Sequence, residues 1–213
     1  MIATLNFQLT GQRALVTAGA QGIGLAITEA FLQQGAEVYI CDIDRTALDQ
    51  TKSKYPQVHI SHTDVGNESQ VLAMFADIQQ RFGQLDILVN NAGIAGPTAA
   101  IEDTILAEWQ QTLDVNLTGA FLCTRSAVPL IKKANGGSIV NISSAAGRHG
   151  FPLRSPYSAT KFGVIGLTQT WAMELGPSGI RVNAILPGIV EGARQDRVLN
   201  AKAEAFGISL EAM

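Results

Sequence analysis

Hydrophobic positions along the chain follow two alternating patterns, short apolar runs and longer stretches in which apolar residues recur every three or four positions. The short runs are rich in β-branched residues and nearly continuously apolar, which is typical of strands covered on both faces. Strands are predicted at 13–17, 36–42, 58–64, 85–93, 136–144 and 179–188. Helices are predicted at about 22–34, 44–54, 67–82, 104–134, 156–176 and 194–206.

Strand and helix alternate throughout the chain, and this order predicts the fold class. Repeated βαβ units with right-handed crossovers form a parallel sheet that carries helices on both faces. No repeat, low-complexity tract or linker rich in Pro, Gly or Ser divides the sequence. We therefore expect an α/β protein with a doubly wound parallel sheet flanked by helices, and a single domain over residues 1–213.

Composition and charge argue against several classes of partner. The formal charge of -3 offers no basic surface for nucleic acid, and no run approaches the roughly 18 to 20 apolar residues of a membrane span. The first residues lack the basic and apolar segments of a signal peptide. Cys41 and Cys123 lack the spacing of a disulfide framework or a metal site. The expected location is the cytoplasm, with no metal, nucleic acid or membrane bound.

A glycine-rich turn at 17–24 (TAGAQGIG) follows the first predicted strand and opens directly into a helix. In a doubly wound sheet, ligands bind beyond the carboxyl ends of the strands. Glycines there let the backbone approach a pyrophosphate and bring the free N–H groups of a helix N-terminus to the anion. The turn favours a dinucleotide site, and the alternative is an ordinary tight strand-to-helix turn.

The second predicted strand ends at Asp42, about 20 residues beyond the glycine turn, where a carboxylate can accept hydrogen bonds from the adenosine ribose. Its charge would repel a 2′-phosphate, which favours NAD(H) over NADP(H), although Arg45 keeps NADP(H) open. The alternative for Asp42 is a helix N-cap, a role that Asp44 fits better.

Further motifs occur in a fixed order between about residues 10 and 190. NNAG stands at 90–93, DVNLTGAF contains Asn116, NISSAAG contains Ser144, YSATK spans 157–161, and RVNAILPG ends at 188. With the glycine turn, these motifs resemble the classical short-chain dehydrogenase/reductase family, which implies a Rossmann-like fold and oxidation or reduction of CH–OH groups. Two positions depart from the family pattern. Ala18 replaces the usual first glycine, and Gly192 stands where many members carry a threonine.

The resemblance implies a set of site residues. The expected catalytic residues are Asn116, Ser144, Tyr157 and Lys161. The expected cofactor-binding residues are Ala18, Gln21, Gly22, Ile23, Gly24, Asp42, Ile43, Asp64, Val65, Asn90, Ala92, Gly93, Tyr157, Lys161, Pro187, Gly188 and Val190. For Asp64, followed by Val65, a helix cap is the alternative.

The spacing of Tyr157 and Lys161 has a chemical reason of its own. Residues four apart share one face of a helix, so both side chains can point into one cleft. A free phenol ionises near pH 10, and a nearby cation favours the phenolate. Lys161 would therefore make Tyr157 usable as a proton acceptor at neutral pH. The alternative is a half-buried packing tyrosine beside a solvated lysine.

Two more catalytic roles are expected. The Ser144 hydroxyl can hold a substrate oxygen as charge develops on it, and strand alternation places Ser143 on the opposite face. The resemblance, and nothing else, assigns Asn116 to hold a water in a proton relay behind Lys161.

The substrate is less constrained by sequence. A loop between Ser144 and Tyr157 carries Arg148, His149 and Arg154, which suggests a polar or anionic hydroxy compound such as a sugar or sugar acid. The alternative is that these cations are solvated or contact another subunit. Residues about 188–210 resemble a mobile substrate lid.

The expected function is interconversion of a secondary alcohol and a ketone with NAD(H), Tyr157 acting as the acid/base. The alternatives are a 3-oxoacyl-carrier-protein reductase using NADPH, and a non-catalytic dinucleotide-binding protein on the same fold. The family resemblance also implies a homodimer or homotetramer. The sequence ends after the lid, so we expect the fold to lack the family's usual C-terminal strand and helix.

Overall fold

The computed structural model describes residues 8–210, and a parallel sheet forms its centre. The strands are β1 Arg13–Thr17, β2 Glu37–Asp42, β3 His59–His62, β4 Ile87–Asn90, β5 Gly137–Ile142 and β6 Ile180–Ile185. Every neighbouring pair is parallel, in the order β3-β2-β1-β4-β5-β6. The predicted strands and doubly wound sheet are confirmed. Most predicted runs were longer than the strands, because the apolar pattern continues into the adjoining loops.

Helices follow the strands as predicted. They are α1 Gly22–Gln33, α2 Arg45–Lys54, α3 Glu68–Phe82, α4 Leu106–Leu113, α5 Gly119–Lys133, α6 Ser155–Leu175 and α7 Ala193–Phe206. The ends of the predicted domain, residues 1–7 and 211–213, lie outside the described residues.

The prediction of a single helix at 104–134 was wrong, because two helices, α4 and α5, lie in this range. A π turn, Asp114–Thr118, separates α4 from α5, and within it the Gly119 N–H donates to the Asp114 carbonyl five residues back. Such a turn inserts one residue into a continuous helix without changing the hydrophobic period enough to be visible in the sequence. The inserted turn contains Asn116, one of the expected catalytic residues.

The sheet has one hydrophobic core on each face. Leu15 and Val16 are neighbours on β1, and both are fully buried. Leu15 packs in the core covered by α3, α5 and α6, and Val16 packs in the core covered by α1 and α2. Adjacent strand residues point to opposite faces, so a strand buried on both sides is apolar at every position.

The strand order places a crevice at the carboxyl ends of β1 and β4. β1 pairs with β2 on one side and with β4 on the other. The chain leaves β1 toward one face and β4 toward the other, which makes this the topological switch point where such sheets bind ligands. Among residues 8–210, no helix combines the length and apolar character needed to cross a membrane.

Candidate active site

The turn after β1 is tightly constrained. Helix α1 begins at Gly22, and Gln21 precedes it in extended conformation. A Cβ added to Gly24 would collide with the Ala18 carbonyl oxygen and lie 2.6 Å from Nδ2 of Asn91. Only glycine fits at this position, so the turn leaves the helix N-terminus open to the crevice. An ordinary strand-to-helix turn does not require such a close approach of the backbone.

Ala18 adopts a backbone conformation that suits glycine better. Its φ is +49°, in the left-handed region. A residue with a Cβ is strained there by about 1–2 kcal/mol. Alanine at this position is therefore accommodated at a cost in stability.

Asn91 holds the glycine-rich turn in place, a role that was not predicted for this residue. Its Nδ2 donates to the carbonyls of Thr17 and Ala18, each at 3.0 Å. The Thr17 hydroxyl accepts from the backbone N–H groups of Asn91 and Ala92 at 3.0 and 2.9 Å, and donates to the Val89 carbonyl. These bonds join the segments after β1 and β4. The NNAG motif was the available signal for this role.

Asp42 ends β2 beside the crevice and is 7% exposed. Its carboxylate accepts from the backbone N–H groups of Ala20 and Asp44, at 3.3 and 3.1 Å. The N-cap of α2 is Asp44, which accepts from the Ala47 N–H at 3.0 Å. The helix-cap alternative for Asp42 was therefore wrong. Next to it, the Ile43 side chain is 67% exposed.

Asp64 and Val65 follow β3. The Asp64 carboxylate accepts from the Gly66 N–H at 2.9 Å and shapes a turn. The N-cap of α3 is Asn67, so the helix-cap alternative for Asp64 was also wrong. Val65 is 5% exposed and packs closely against Gly119. Only its backbone is placed to meet a ligand.

Asn90 lies in the sheet interior and not in the crevice. Its Nδ2 donates to Thr124 Oγ1 at 3.0 Å and to Asn141 Oδ1 at 2.8 Å. The side chain thus connects β4 to β5 and α5. The structure does not support a direct side-chain contact of Asn90 with the cofactor, because the amide is buried on the α5 face. Ala92 and Gly93, further along, are half-buried at the crevice.

Tyr157 and Lys161 lie on one face of α6, as predicted. Lys161 is 4% exposed, and its Nζ donates to the Ile142 carbonyl at 2.8 Å. The same Nζ lies 5.7 Å from the centroid of the half-buried Tyr157 ring. Lys161 is therefore not a solvated surface lysine. Its ammonium is held beside the phenol by the last residue of β5.

Ser143 and Ser144 point in opposite directions at the end of β5. Ser143 is 3% exposed and its hydroxyl donates to the Lys161 carbonyl. Ser144 is half-buried, and its Oγ accepts from the Ala146 N–H at 3.1 Å. A hydroxyl that accepts in this way keeps its own hydrogen for another acceptor. Ser144 can therefore donate to an oxygen in the cleft.

Asn116 is buried and connects two parts of the site. Its Oδ1 accepts from the Ile94 N–H at 2.7 Å, while Nδ2 donates to the Ile94 carbonyl and to Thr160 Oγ1. A Cβ on Gly93 would lie 3.1 Å from Asn116 Oδ1 and 3.5 Å from Lys161 Nζ. The side-chain amide holds the segment after β4 against α6, directly behind Lys161.

The loop after Ser144 contains cations in two different environments. Arg148 and His149 are exposed, whereas Arg154 is 5% exposed. For Arg154, the alternative of a solvated residue was wrong, because the guanidinium donates to backbone and side-chain oxygens of the segment after β4.

Residues after β6 border the same cleft. The Pro187 carbonyl accepts from the Ala145 N–H at 3.1 Å, while Gly188 and Val190 are exposed. On α7, Lys202 Nζ lies 5.3 Å from the ring centroid of Phe151. Burial, and then the nearby positive charge of Arg154, lower the pKa of Lys202 below its ordinary value.

Comparison with known proteins gives this arrangement a family. The model for the short chain dehydrogenase family matches residues 12–203. The chain belongs to the short-chain dehydrogenase family. It is therefore an oxidoreductase of the dehydrogenase/reductase type that acts on CH–OH groups, as predicted.

Similar short-chain dehydrogenases differ in the substrates that they are named for. A 3-alpha-(or 20-beta)-hydroxysteroid dehydrogenase of Mycobacterium bovis is 45% identical over 195 residues, which are 91% of this chain and 75% of the relative. A 3-oxoacyl-[acyl-carrier-protein] reductase of Thermotoga maritima is 39% identical, over 95% and 83%. The crystal structure of an NAD⁺-bound xylitol dehydrogenase superposes with a TM-score of 0.89 and 32% identity, over 92% and 78%.

The short-chain dehydrogenase fold binds a nicotinamide dinucleotide, and the crevice of this chain fits one. The turn at Gly24 leaves no room for a side chain, and the N-terminus of α1 faces the crevice. Backbone N–H groups there suit a diphosphate, and the Asp42 carboxylate is placed to accept from hydroxyl groups. Within residues 8–210, no group of three or more His, Cys, Asp or Glu side chains could hold a metal ion.

Proposed function

We propose that this short-chain dehydrogenase is an NAD(H)-dependent enzyme that interconverts a secondary alcohol and a ketone, with Tyr157 as the acid/base. One observation carries the proposal. The Lys161 ammonium is buried on the same helix face as Tyr157, 5.7 Å from its ring centroid. A buried ammonium is costly unless it is hydrogen-bonded or paired, and the Ile142 carbonyl supplies one such hydrogen bond to Lys161. A cation beside a phenol favours the phenolate that proton abstraction requires.

The proposed mechanism divides the proton transfer among residues of the chain. Ser144 donates a hydrogen bond from its hydroxyl group to the substrate oxygen. In the oxidising direction, Tyr157 takes the proton of the substrate hydroxyl, and in the reducing direction it returns that proton. Lys161 holds its ammonium beside the Tyr157 ring, and Asn116 fixes the segment behind Lys161. When bound, the nicotinamide ring supplies the acceptor or donor of the hydride that is exchanged with the carbinol carbon.

The proposed cofactor residues are those of the sequence analysis. The turn 17–24 would hold the diphosphate, and Asp42 the adenosine ribose. Ile43, Asp64 and the backbone of Val65 would border the adenine. The segment 90–93 would support the central sheet and the adenosine side of the cofactor, and residues 187–190 would border the nicotinamide carboxamide. The choice of NAD(H) rests on Asp42, whose charge opposes a 2′-phosphate.

We propose a polar or anionic hydroxy compound, such as a sugar or sugar acid, as the substrate. Lys202 supports this choice, since no carboxylate within residues 8–210 lies at ion-pair distance from it. Arg148 and His149 are exposed in the same loop as Phe151, and the Lys202 ammonium lies over the Phe151 ring. An anionic group on the substrate would offset this positive charge.

The second candidate is a 3-oxoacyl-carrier-protein reductase that uses NADPH. The Thermotoga maritima relative favours it. Asp42 argues against it, because the carboxylate would lie where a 2′-phosphate binds. The two candidates differ in cofactor as well as in substrate, so both can be tested together.

The deciding experiment begins with fluorescence titration of the purified chain with NADH and with NADPH. Turnover of polyols, sugars, hydroxy acids, hydroxysteroids and oxoacyl thioesters is then followed at the nicotinamide absorbance. We expect tighter binding of NADH, and turnover that falls about 10³-fold in Tyr157→Phe. Tyr55→Phe is the matched control, since that hydroxyl bonds Glu29 at the surface. Oxoacyl thioester reduction with NADPH would select the second candidate. Full activity of Tyr157→Phe would disprove the acid/base assignment.

The assembly and location of the protein are also proposals. We propose a single domain over residues 1–213 with a substrate lid at about 188–210, a cytoplasmic location, and a homodimer or homotetramer. The exposed aromatic rings of Phe121 on α5 and Phe162 on α6 support self-association. Light scattering after gel filtration measures the subunit number. A monomer at micromolar concentration would contradict the assembly proposal.

A further inference from the structure

Arg154 is a buried cation next to the proposed catalytic tyrosine. It lies three residues before Tyr157, at the N-cap of α6, and is 5% exposed. Arginine is almost never buried to this degree unless its guanidinium has partners. The burial of this charged side chain therefore requires hydrogen-bond partners for the guanidinium within the protein.

Hydrogen bonds tie Arg154 to the segment after β4. One terminal nitrogen donates to the Ala95 carbonyl at 2.7 Å, and the other donates to Thr98 Oγ1 at 3.0 Å. The backbone supports this contact, because the Ala99 N–H donates to the Leu153 carbonyl at 3.1 Å. The planar guanidinium fixes a direction as well as a distance when it makes two such bonds. The start of α6 is thereby attached to the crevice wall.

The same guanidinium contacts the catalytic ring. Its Cζ lies 5.0 Å from the centroid of the Tyr157 ring. A cation over an aromatic face is attracted to it, and the attraction is larger when both are shielded from water. Tyr157 and Lys161 share one face of α6, and the guanidinium of Arg154, the N-cap residue before α6, lies over the same ring. The ring therefore has a cation on each side of it in the sequence.

The backbone before Arg154 is strained. Leu153 has a φ of +63°, a left-handed conformation that costs a residue with a side chain about 1–2 kcal/mol. Such conformations persist where the surrounding structure imposes them, and they cluster at functional sites. At this position the turn directs residue 154 inward, beneath the loop, and not toward solvent as in Arg148 and His149.

We propose that Arg154 is a positioning residue, which sets the orientation of the Tyr157 ring by bridging it to Ala95 and Thr98. This inference rests on the proposed acid/base role of Tyr157. Its contribution is to the chemical step: a phenol hydroxyl that is displaced by about 1 Å can lower turnover about 100-fold without loss of binding. Arg154 is thus distinct from the substrate-facing role that its position in the loop suggested.

The test compares Arg154→Met with Arg181→Met, a change of the same kind at an exposed residue of β6. For Arg154→Met we expect kcat to fall about 10- to 100-fold while the dissociation constant of NADH changes less than about twofold. Arg154→Lys retains the charge without the planar pair of bonds, and an intermediate kcat is expected. Arg181→Met should match the parent chain. An unchanged kcat in folded Arg154→Met would overturn the proposal.

A gentler variant decides the matter if Arg154→Met does not fold. Thr98→Val removes one of the two hydrogen bonds and leaves the guanidinium in place. A several-fold lower kcat with unchanged NADH binding supports the proposal, and a kcat equal to that of the parent chain contradicts it. The outcome is separable from the proposed function. If Tyr157→Phe is inactive while the Arg154 and Thr98 variants are fully active, only the positioning role fails.

Discussion

In the proposed cofactor half of the cleft, which comprises residues 17–24, Asp42 and residues 90–93, backbone segments are joined by hydrogen bonds. Asn91 alone bonds two carbonyls of the neighbouring loop. In the proposed substrate half, which comprises residues 148–153 and 186–206, exposed side chains include Ile189, 81% exposed, and Phe151, 40% exposed. A wall made of backbone segments requires small residues at particular positions, whereas a wall made of exposed side chains can be formed by many different sequences. Cofactor binding is therefore more visible in the sequence than substrate choice.

The largest expected effect tests the rigidity of the cofactor half. In Gly24→Ala the added Cβ collides with the Ala18 carbonyl, and the turn has to open. We expect NADH affinity to fall at least about 100-fold and stability to fall by about 1–3 kcal/mol. Isothermal titration calorimetry and urea unfolding measure the two effects.

Gly166→Ala is the matched control for that change. Gly166 lies inside α6, and a Cβ there meets nothing within 4 Å. We expect this variant to gain about 0.5–1 kcal/mol of stability, because alanine favours a helix over glycine. If Gly24→Ala bound NADH with the affinity of the parent chain, the turn after β1 would be able to adjust to a side chain. The contrast between the two halves of the cleft would then be wrong.

The next effect concerns cofactor choice. Asp42→Ala removes the charge that opposes a 2′-phosphate and leaves the N–H groups of Ala20 and Asp44 without their acceptor. NADH affinity should fall about tenfold, while NADPH affinity should rise. Fluorescence titration with both cofactors measures the ratio. Asp49→Ala, an exposed change on α2, should leave the ratio unchanged.

A smaller effect is expected in the substrate half. Lys202→Met removes the ammonium over Phe151 but keeps an apolar side chain of similar length. For an anionic substrate, KM should rise about five- to tenfold, with kcat and NADH affinity nearly unchanged. For a neutral polyol, KM should stay within about twofold. Equal changes in KM for both substrates would remove the support for an anion-binding role.

The smallest effect concerns the strained turn. Ala18→Gly relieves the left-handed conformation of residue 18 and should raise the free energy of unfolding by about 1 kcal/mol. Ala30→Gly, an exposed position inside α1, should lower the free energy of unfolding by a similar amount. Urea unfolding of both variants gives the signs. Destabilisation by Ala18→Gly would show that the alanine methyl contributes packing that outweighs the strain.

The sequence predicted the placement of side chains where residue spacing is tied to geometry. The spacing of Tyr157 and Lys161 placed both on one face of α6, and strand alternation separated Ser144 from Ser143. It did not reveal the direction of the Asn90 side chain, which lies in the sheet interior. A motif identifies a strand end, but the face to which a particular amide points depends on the register of that strand.

By itself, the sequence determined the doubly wound sheet, the glycine-rich turn and the pair on α6, because local periodicity and steric limits act between residues that are close in the chain. Only the tertiary structure decided that Asn116 lies in a π turn, that Asn91 holds the loop after β1, and that Arg154 is buried. Those three facts depend on contacts between segments more than 20 residues apart. Packing sets such contacts, and hydrophobic pattern does not specify which polar side chain makes them.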